Sequence, residues 1–173
     1  MNCGEFLTRA SVWLALCAYA AGSATLLLAR GRRTWRARAR LAWTFGCIFL
    51  LAHMCCAFSY YHGWSHVVAY RETARQTREM TGLDWGGGLF INYLFAAAWL
   101  ADVLWWWRWP ESHAHRSRML TASWHGFFFF MVFNGAAVFG TGPVRWLGVF
   151  ICCGLVGLWW YLRHQGIATR RSG

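Results

Sequence analysis

Long uninterrupted apolar runs dominate the pattern of hydrophobic and polar positions along this chain. Apolar and polar residues do not alternate within a run, which argues against the strands of a membrane β-barrel. Each run is near the ~20 residues that an α-helix needs to cross a hydrocarbon core of ~30 Å. The pattern therefore predicts an all-α membrane protein. We expect a single domain over 1–173 with a bundle of five transmembrane helices, at about 6–29, 41–62, 87–107, 119–139 and 144–162.

A polar segment separates the second and third runs. It reads "HVVAYRETARQTREMTG" and offers candidate ion pairs between Glu72 and Arg75 and between Arg75 and Glu79. Its last residue, Gly82, is in the position of a helix C-cap. We therefore expect a short helix at about 66–81, lying on the outer membrane interface.

The charge pattern predicts an orientation. The chain has 17 cationic side chains, all arginine, and twelve of them fall in 30–40, 108–118 and the C-terminal tail. Because cytoplasmic loops of membrane proteins carry the excess of positive charge, we expect the N-terminus outside and the C-terminus in the cytoplasm. The expected location is a bacterial inner (cytoplasmic) membrane, spanned several times.

Composition narrows the classes of partner. The chain is 58% hydrophobic and only 13% charged, against about 25% charged in soluble domains. The arginines of Arg30–Arg40 are flanked closely by two predicted spans, so we expect them to contact anionic lipid headgroups and no nucleic acid. Besides the lipid bilayer, the expected partners are other membrane proteins or a second copy of the chain. A stripe of small residues on the first run suits either such a contact or packing within the bundle.

Five polar side chains stand out within the predicted spans, where polar and ionisable residues are functional candidates. Asp102 and His125 have similar estimated depths of roughly 8–9 Å from one side. Antiparallel helices would then bring Asp102 opposite His125, and Asn92 opposite Asn134. A carboxylate that faces an imidazole can relay protons or act as an acid/base pair, or it can simply fix helix packing. The full set of intramembrane polar candidates is His53, Asn92, Asp102, His125 and Asn134.

A second candidate site lies at the outer interface. His62 and His66 are four residues apart and would share a helix face if the helix continued through Gly63. This spacing suits two metal ligands, although the glutamate of an HExxH motif is absent. Zinc or iron would need a third ligand, for which Glu72, Asp84 and His53 are the available candidates. The alternative is that both histidines bind only water and headgroups.

Other cofactors have less support. Haem is not expected, because His53 and His125 differ in depth by roughly 9 Å. The adjacent pairs Cys55–Cys56 and Cys152–Cys153 lack the Cys-x-x-Cys spacing of redox and zinc sites.

Three functions remain open from the sequence. The first is a small non-enzymatic membrane subunit or scaffold, which we favour because no complete catalytic set can be assembled. The second is a membrane-embedded metal-dependent enzyme or redox component with its site at the outer face. The third is a proton-coupled carrier that uses Asp102 and His125.

Overall fold

The computed structural model describes residues 3–29, 32–140 and 142–171, with side chains described as far as Gln165. The described residues form helices, turns and short connections without a strand. Two of the helices continue into π-helical segments, Phe58–His62 after α2 and Phe133–Val138 after α6. The α-helices are α1 (Cys3–Ala29), α2 (Arg33–Ala57), α3 (His66–Thr81), α4 (Gly88–Arg108), α5 (Pro110–Ala114), α6 (Arg118–Val132) and α7 (Pro143–Arg171).

Four helical segments in the described part of the chain are long and apolar enough to cross a membrane. They are Cys3–Ala29, Arg33–His62, Gly88–Arg108 and Pro143–Gln165. This supports the prediction of a helical, multi-pass membrane protein. The predicted span at 119–139 is not among the four. It divides into α6 and the second π-helical segment, and its polar residues His125 and Asn134 reduce its apolar character.

The first two helices pack closely because small residues line their contact. A Cβ added at Gly22 of α1 would lie 3.3 Å from the Trp43 ring of α2, and one added at Gly46 of α2 would lie 3.5 Å from Cβ of Ala18 in α1. Ser11 and Ala15, in the small-residue stripe of α1, are also buried. The stripe therefore serves packing inside the bundle, the contact with α2 included.

Aromatic rings form the centre of the bundle. Trp43 of α2, Trp99 of α4 and Phe128 of α6 are almost completely buried, with ring centroids 5.1–5.3 Å apart. The Trp99 indole N–H also donates to the backbone oxygen of Trp43 at 3.1 Å. Tyr19 of α1 packs against both tryptophans. This core fixes four helices relative to one another, and Asp102 lies one turn of α4 beyond Trp99.

Two connections differ from the sequence prediction. The second helix was expected to begin near residue 41, but α2 begins at Arg33, so most of the Arg30–Arg40 segment is helical rather than loop. His62 and His66 would share a helix face only if the helix continued through Gly63, but the helical segment ends at His62. Gly63 and Trp64 both adopt positive φ angles, 52° and 58°, and reverse the chain before α3.

The capping residues explain where α3 begins and ends. The hydroxyl of Ser65 accepts from the backbone N–H of Val68, and Gly82 closes the helix at φ 80°. This helix occupies the segment for which the sequence predicts one. Exposed apolar residues lie beside its charges, including Val67, Tyr70 and Met80.

Candidate functional site

Asp102 is the most deeply buried charged residue in the described chain, with its side chain 2% exposed. The indole N–H of Trp43 donates to Oδ2 at 2.9 Å, and Nη1 of Arg116 donates to Oδ1 at 2.9 Å. Both bonds are charge-assisted, and the guanidinium supplies the opposite charge that a buried carboxylate requires. The carboxylate is therefore held as one half of a buried ion pair.

The short helix α5 places a histidine beside this ion pair. Pro110 begins α5 directly after α4, and the chain folds back so that His113 stacks on Trp106, with centroids 4.5 Å apart and planes 8° apart. His113 Nε2 lies 3.3 Å from both Asp102 Oδ1 and Arg116 Nη1. A protonated Nε2 can donate to Asp102, whereas a bare Nε2 can accept from Arg116.

In either tautomer the other ring nitrogen lacks a partner. Nδ1 of His113 is buried and makes no hydrogen bond to the described residues. A buried polar atom without a partner costs free energy, and native structures usually satisfy it with protein, water or ligand. His113 therefore offers an unused hydrogen-bonding group at this site.

Arg116 connects Asp102 to His125. Its Nη2 donates to His125 Nε2 at 3.1 Å, and its Nε donates to Thr121 Oγ1 at 3.2 Å. Since Nε2 of His125 accepts, a neutral His125 carries its proton on Nδ1. The sequence predicted that Asp102 and His125 face each other directly. The structure instead places them on opposite sides of one guanidinium, whose side chain is 7% exposed.

A cavity of about 620 Å³ lies next to this network. We call the surrounding end of the bundle the arginine-rich end; it comprises the start of α2, α5, the start of α6 and the adjoining part of α7. Apolar residues form most of the cavity wall, but Arg36, His113, Arg116 and His125 also line it, and no carboxylate does. The Arg36 guanidinium has no ion-pair partner among the described residues. The cavity thus combines positive charge with apolar walls.

The predicted metal-binding histidines lie at the opposite end of the bundle, which we call the α3 end. His62 belongs to the first π-helical segment and His66 to α3, and the ring of Phe58 packs 5.5 Å from each. His66 Nδ1 shares a hydrogen bond of 2.9 Å with the Tyr93 hydroxyl. Nδ1 of His62 is buried without a hydrogen-bond partner among the described residues.

The two predicted carboxylate ligands are occupied by arginines. Arg75 donates to both carboxylate oxygens of Glu72 and holds the pKa of that carboxyl below its ordinary value of 4.5. Asp84 pairs with Arg78 at 3.2 Å. Over the described ranges, no three residues among His, Cys, Asp and Glu converge as a metal site would require. The structure therefore does not assemble His62, His66, Glu72 and Asp84 into one centre.

The remaining intramembrane candidates are separate from both ends' networks. Nδ1–H of His53 donates to the backbone oxygen of Thr8 at 2.9 Å, which ties α2 to α1. Asn92 is exposed and Asn134 is half-buried, and no hydrogen bond joins them in the described part of the chain.

Sequence reasoning missed His113 and Arg116 because both lie in a connection outside the predicted spans. The signal that could have found them is Asp102 itself. A carboxylate within a span needs a cation nearby, and Arg108, Arg116 and Arg118 are the arginines of the next connection.

Comparison with known protein families, with curated proteins and with solved structures finds no match to this chain. Its function must therefore be argued from the site alone.

Proposed function

We propose that this chain is a non-enzymatic, multi-pass membrane protein that binds a small anionic ligand in the cavity at the arginine-rich end. One observation carries the proposal: among the described residues, two arginines and two imidazoles but no carboxylate line a cavity of about 620 Å³. Membrane proteins commonly bind ligands between the helices of a bundle, in sites of this size with a few polar groups.

Charge supports an anion over a neutral ligand. Arg116 is already paired with Asp102, so that pair is neutral overall. Arg36 adds a positive charge on the cavity wall that has no ion-pair partner in the described part of the chain. In a low-dielectric environment that charge favours a negative partner, and the planar guanidinium suits a phosphate or carboxylate.

The membrane setting of the proposal has five spans, with the arginine-rich end in the cytoplasm of a bacterium. The α-helical and π-helical parts of the fourth span contain 15 and 6 residues, which is roughly 30 Å of helix. The arginine distribution supports the orientation. In this setting α3 lies on the outer interface, with its exposed apolar residues in the headgroup region.

The two other functions have less support. An outer-face metal enzyme would need Glu72 or Asp84 to leave an arginine partner. A proton carrier would need a path between Asp102 and water, yet Asp102 is 2% exposed and is not among the residues that line the cavity.

Ligand-induced thermal stabilisation tests the proposal. A ligand that binds only the folded protein raises its unfolding temperature. We expect glycerol 3-phosphate or lysophosphatidic acid to stabilise the purified protein, and we expect Arg36→Gln to remove this effect. Arg38→Gln is the matched control, because Arg38 is an exposed residue half a turn away on α2 that does not line the cavity. The proposal fails if neither probe stabilises the protein, or if both variants respond alike.

A further inference from the structure

A lateral groove borders the cavity between α6 and α7. It has a volume of about 660 Å³ and is open to the outside of the bundle. Phe129 and Val156 line both spaces, so they form the boundary between groove and cavity. The rest of the groove wall consists of Phe133, Cys152, Cys153, Gly157 and Trp160.

The groove is open because α7 packs closely against the second π-helical segment and makes far fewer contacts with α6. A Cβ added at Gly148 would lie 2.5 Å from Cβ of Ala136, so α7 contacts the second π-helical segment closely there. Farther along α7, a Cβ added at Gly157 would meet no atom within 4 Å, so the groove is open beside this residue.

The polarity of the two spaces differs sharply. The cavity contains the guanidinium groups of Arg36 and Arg116, whereas the groove is lined by aromatic and aliphatic groups and by the thiols of Cys152 and Cys153. Within the described ranges, no charged residue lines the groove. In a membrane, the groove would face lipid chains and the cavity would lie near headgroup level.

We propose that the ligand is a lipid with an anionic phosphate headgroup, which enters between α6 and α7. The headgroup lies in the cavity against Arg36 and Arg116, and an acyl chain follows the groove past Phe129 and Val156. This inference rests on the proposed function, because it names the class of the anion. It follows from the positive charge on the wall of the cavity and from the apolar walls of the groove, two adjoining spaces that share Phe129 and Val156.

Three probes separate the contributions of headgroup and chain. Lysophosphatidic acid has both the phosphate monoester and the chain, glycerol 3-phosphate has the headgroup alone, and lysophosphatidylcholine has the chain with a zwitterionic headgroup. Native mass spectrometry of the protein released from a neutral detergent gives the affinity for each. We expect lysophosphatidic acid to bind at least about tenfold more tightly than either other probe, a difference of about 1.4 kcal/mol.

Two glycine variants test the route of the chain. Gly157→Leu places a side chain in the groove, and Gly154→Leu places the same side chain on α7 outside it. Neither new Cβ meets an atom within 4 Å, and leucine is a better helix former than glycine, so both variants should fold. We expect Gly157→Leu to weaken lysophosphatidic acid about tenfold while leaving glycerol 3-phosphate unchanged. Gly154→Leu should change neither.

The outcomes distinguish this inference from the function on which it rests. If glycerol 3-phosphate binds as tightly as lysophosphatidic acid and both are lost in Arg36→Gln, the cavity binds a soluble anion and the lipid inference is wrong. The lipid inference is equally wrong if Gly157→Leu and Gly154→Leu bind lysophosphatidic acid alike. If lysophosphatidic acid and lysophosphatidylcholine bind equally and Arg36→Gln has no effect, the anion site itself is wrong.

Discussion

Charged side chains are arranged differently at the two ends of the bundle. At the α3 end, five arginines accompany four of the six acidic residues, and the ion pairs between them are exposed: Glu5–Arg9, Glu72–Arg75–Glu79 and Arg78–Asp84. The other twelve arginines fall in 30–40, 108–118 and the C-terminal tail of the sequence, and the two remaining acids are Asp102 and Glu111. Asp102 is buried beside the arginine-rich end, against Arg116.

This difference shows how a binding site can form in a chain with few polar residues. Exposed ion pairs neutralise one another and contribute little stability, so they leave no charge for a ligand. A buried pair instead fixes a guanidinium at the cavity wall, and Arg36 adds a charge without an ion-pair partner in the described chain. The sequence indicated a candidate site at the histidines of the α3 end, but the cavity with charged groups lies at the other end of the bundle.

The largest difference between the two ends should appear when one paired carboxylate is removed from each and the free energy of unfolding is compared. We expect Asp102→Ala to lower the free energy of unfolding by about 3–5 kcal/mol, because it leaves the Arg116 guanidinium buried without its counter-charge. Asp84→Ala is the control, since it removes an exposed carboxylate that also pairs with one arginine. Its cost should lie below about 1 kcal/mol. Denaturant unfolding of the detergent-purified protein measures both, and equal costs would contradict the contrast.

A smaller effect should come from the indole that donates to Asp102. Trp43→Phe removes a hydrogen bond to a charged group, worth about 1.5–3 kcal/mol, whereas Trp99→Phe removes one to a neutral backbone oxygen, worth about 0.5–1.5 kcal/mol. Both tryptophans are 1% exposed, so the loss of ring volume is matched. We expect Trp43→Phe to be the more destabilising variant in the same unfolding assay. The reverse order would argue against the role given to Asp102.

The network should also couple Asp102 to His125 through Arg116. Because the guanidinium donates to both, Asp102→Asn and His125→Ala should have non-additive effects on the free energy of unfolding. A double-mutant cycle measures the coupling. Strictly additive losses would mean that Arg116 does not transmit an interaction between them.

At the α3 end, losing the hydroxyl that contacts His66 should have a modest effect. Tyr93→Phe keeps the ring and removes only a solvent-exposed hydrogen bond, so we expect the free energy of unfolding to fall by about 0.5 kcal/mol in the same unfolding assay.

If the wild-type protein instead contained stoichiometric metal that disappeared in His62→Ala/His66→Ala, the α3 end would hold a metal centre. Metal analysis of the purified protein checks this outcome directly.

The smallest effect on the free energy of unfolding should come from removing the Glu72 carboxylate, and this effect should depend on pH. Its pKa is lowered in the folded protein, mainly by the hydrogen bonds from Arg75. The stabilisation is therefore present above the ordinary pKa of 4.5 and is lost as the pH falls through the lower folded value. We expect Glu72→Gln to cost less than Tyr93→Phe at neutral pH, and the difference from wild type to vanish in acid. A difference that grows as the pH falls would contradict the sign.

The sequence predicted the helical class because apolar runs of membrane-spanning length leave few alternatives. It also predicted the segment occupied by α3, whose C-cap signal at Gly82 is local. It could not predict the break at Trp64, because a positive φ is unusual for that residue type. It did not predict that His113 and Arg116 join the site, because Pro110 and α5 turn a connection back against α4. Asp102 and His125 were identified, and the group between them was not.

The most direct test of the central claim is a phosphorus–nitrogen distance. Solid-state NMR of the arginine-¹⁵N-labelled protein with lysophosphatidic acid reports which guanidinium nitrogens lie near the lipid phosphorus. We predict dephasing of guanidinium signals by phosphorus in the wild type. This dephasing should be clearly reduced in Arg36→Gln and unchanged in Arg38→Gln. Equal dephasing in the wild type and Arg36→Gln, or a loss confined to Arg38→Gln, would contradict an anion site in the cavity.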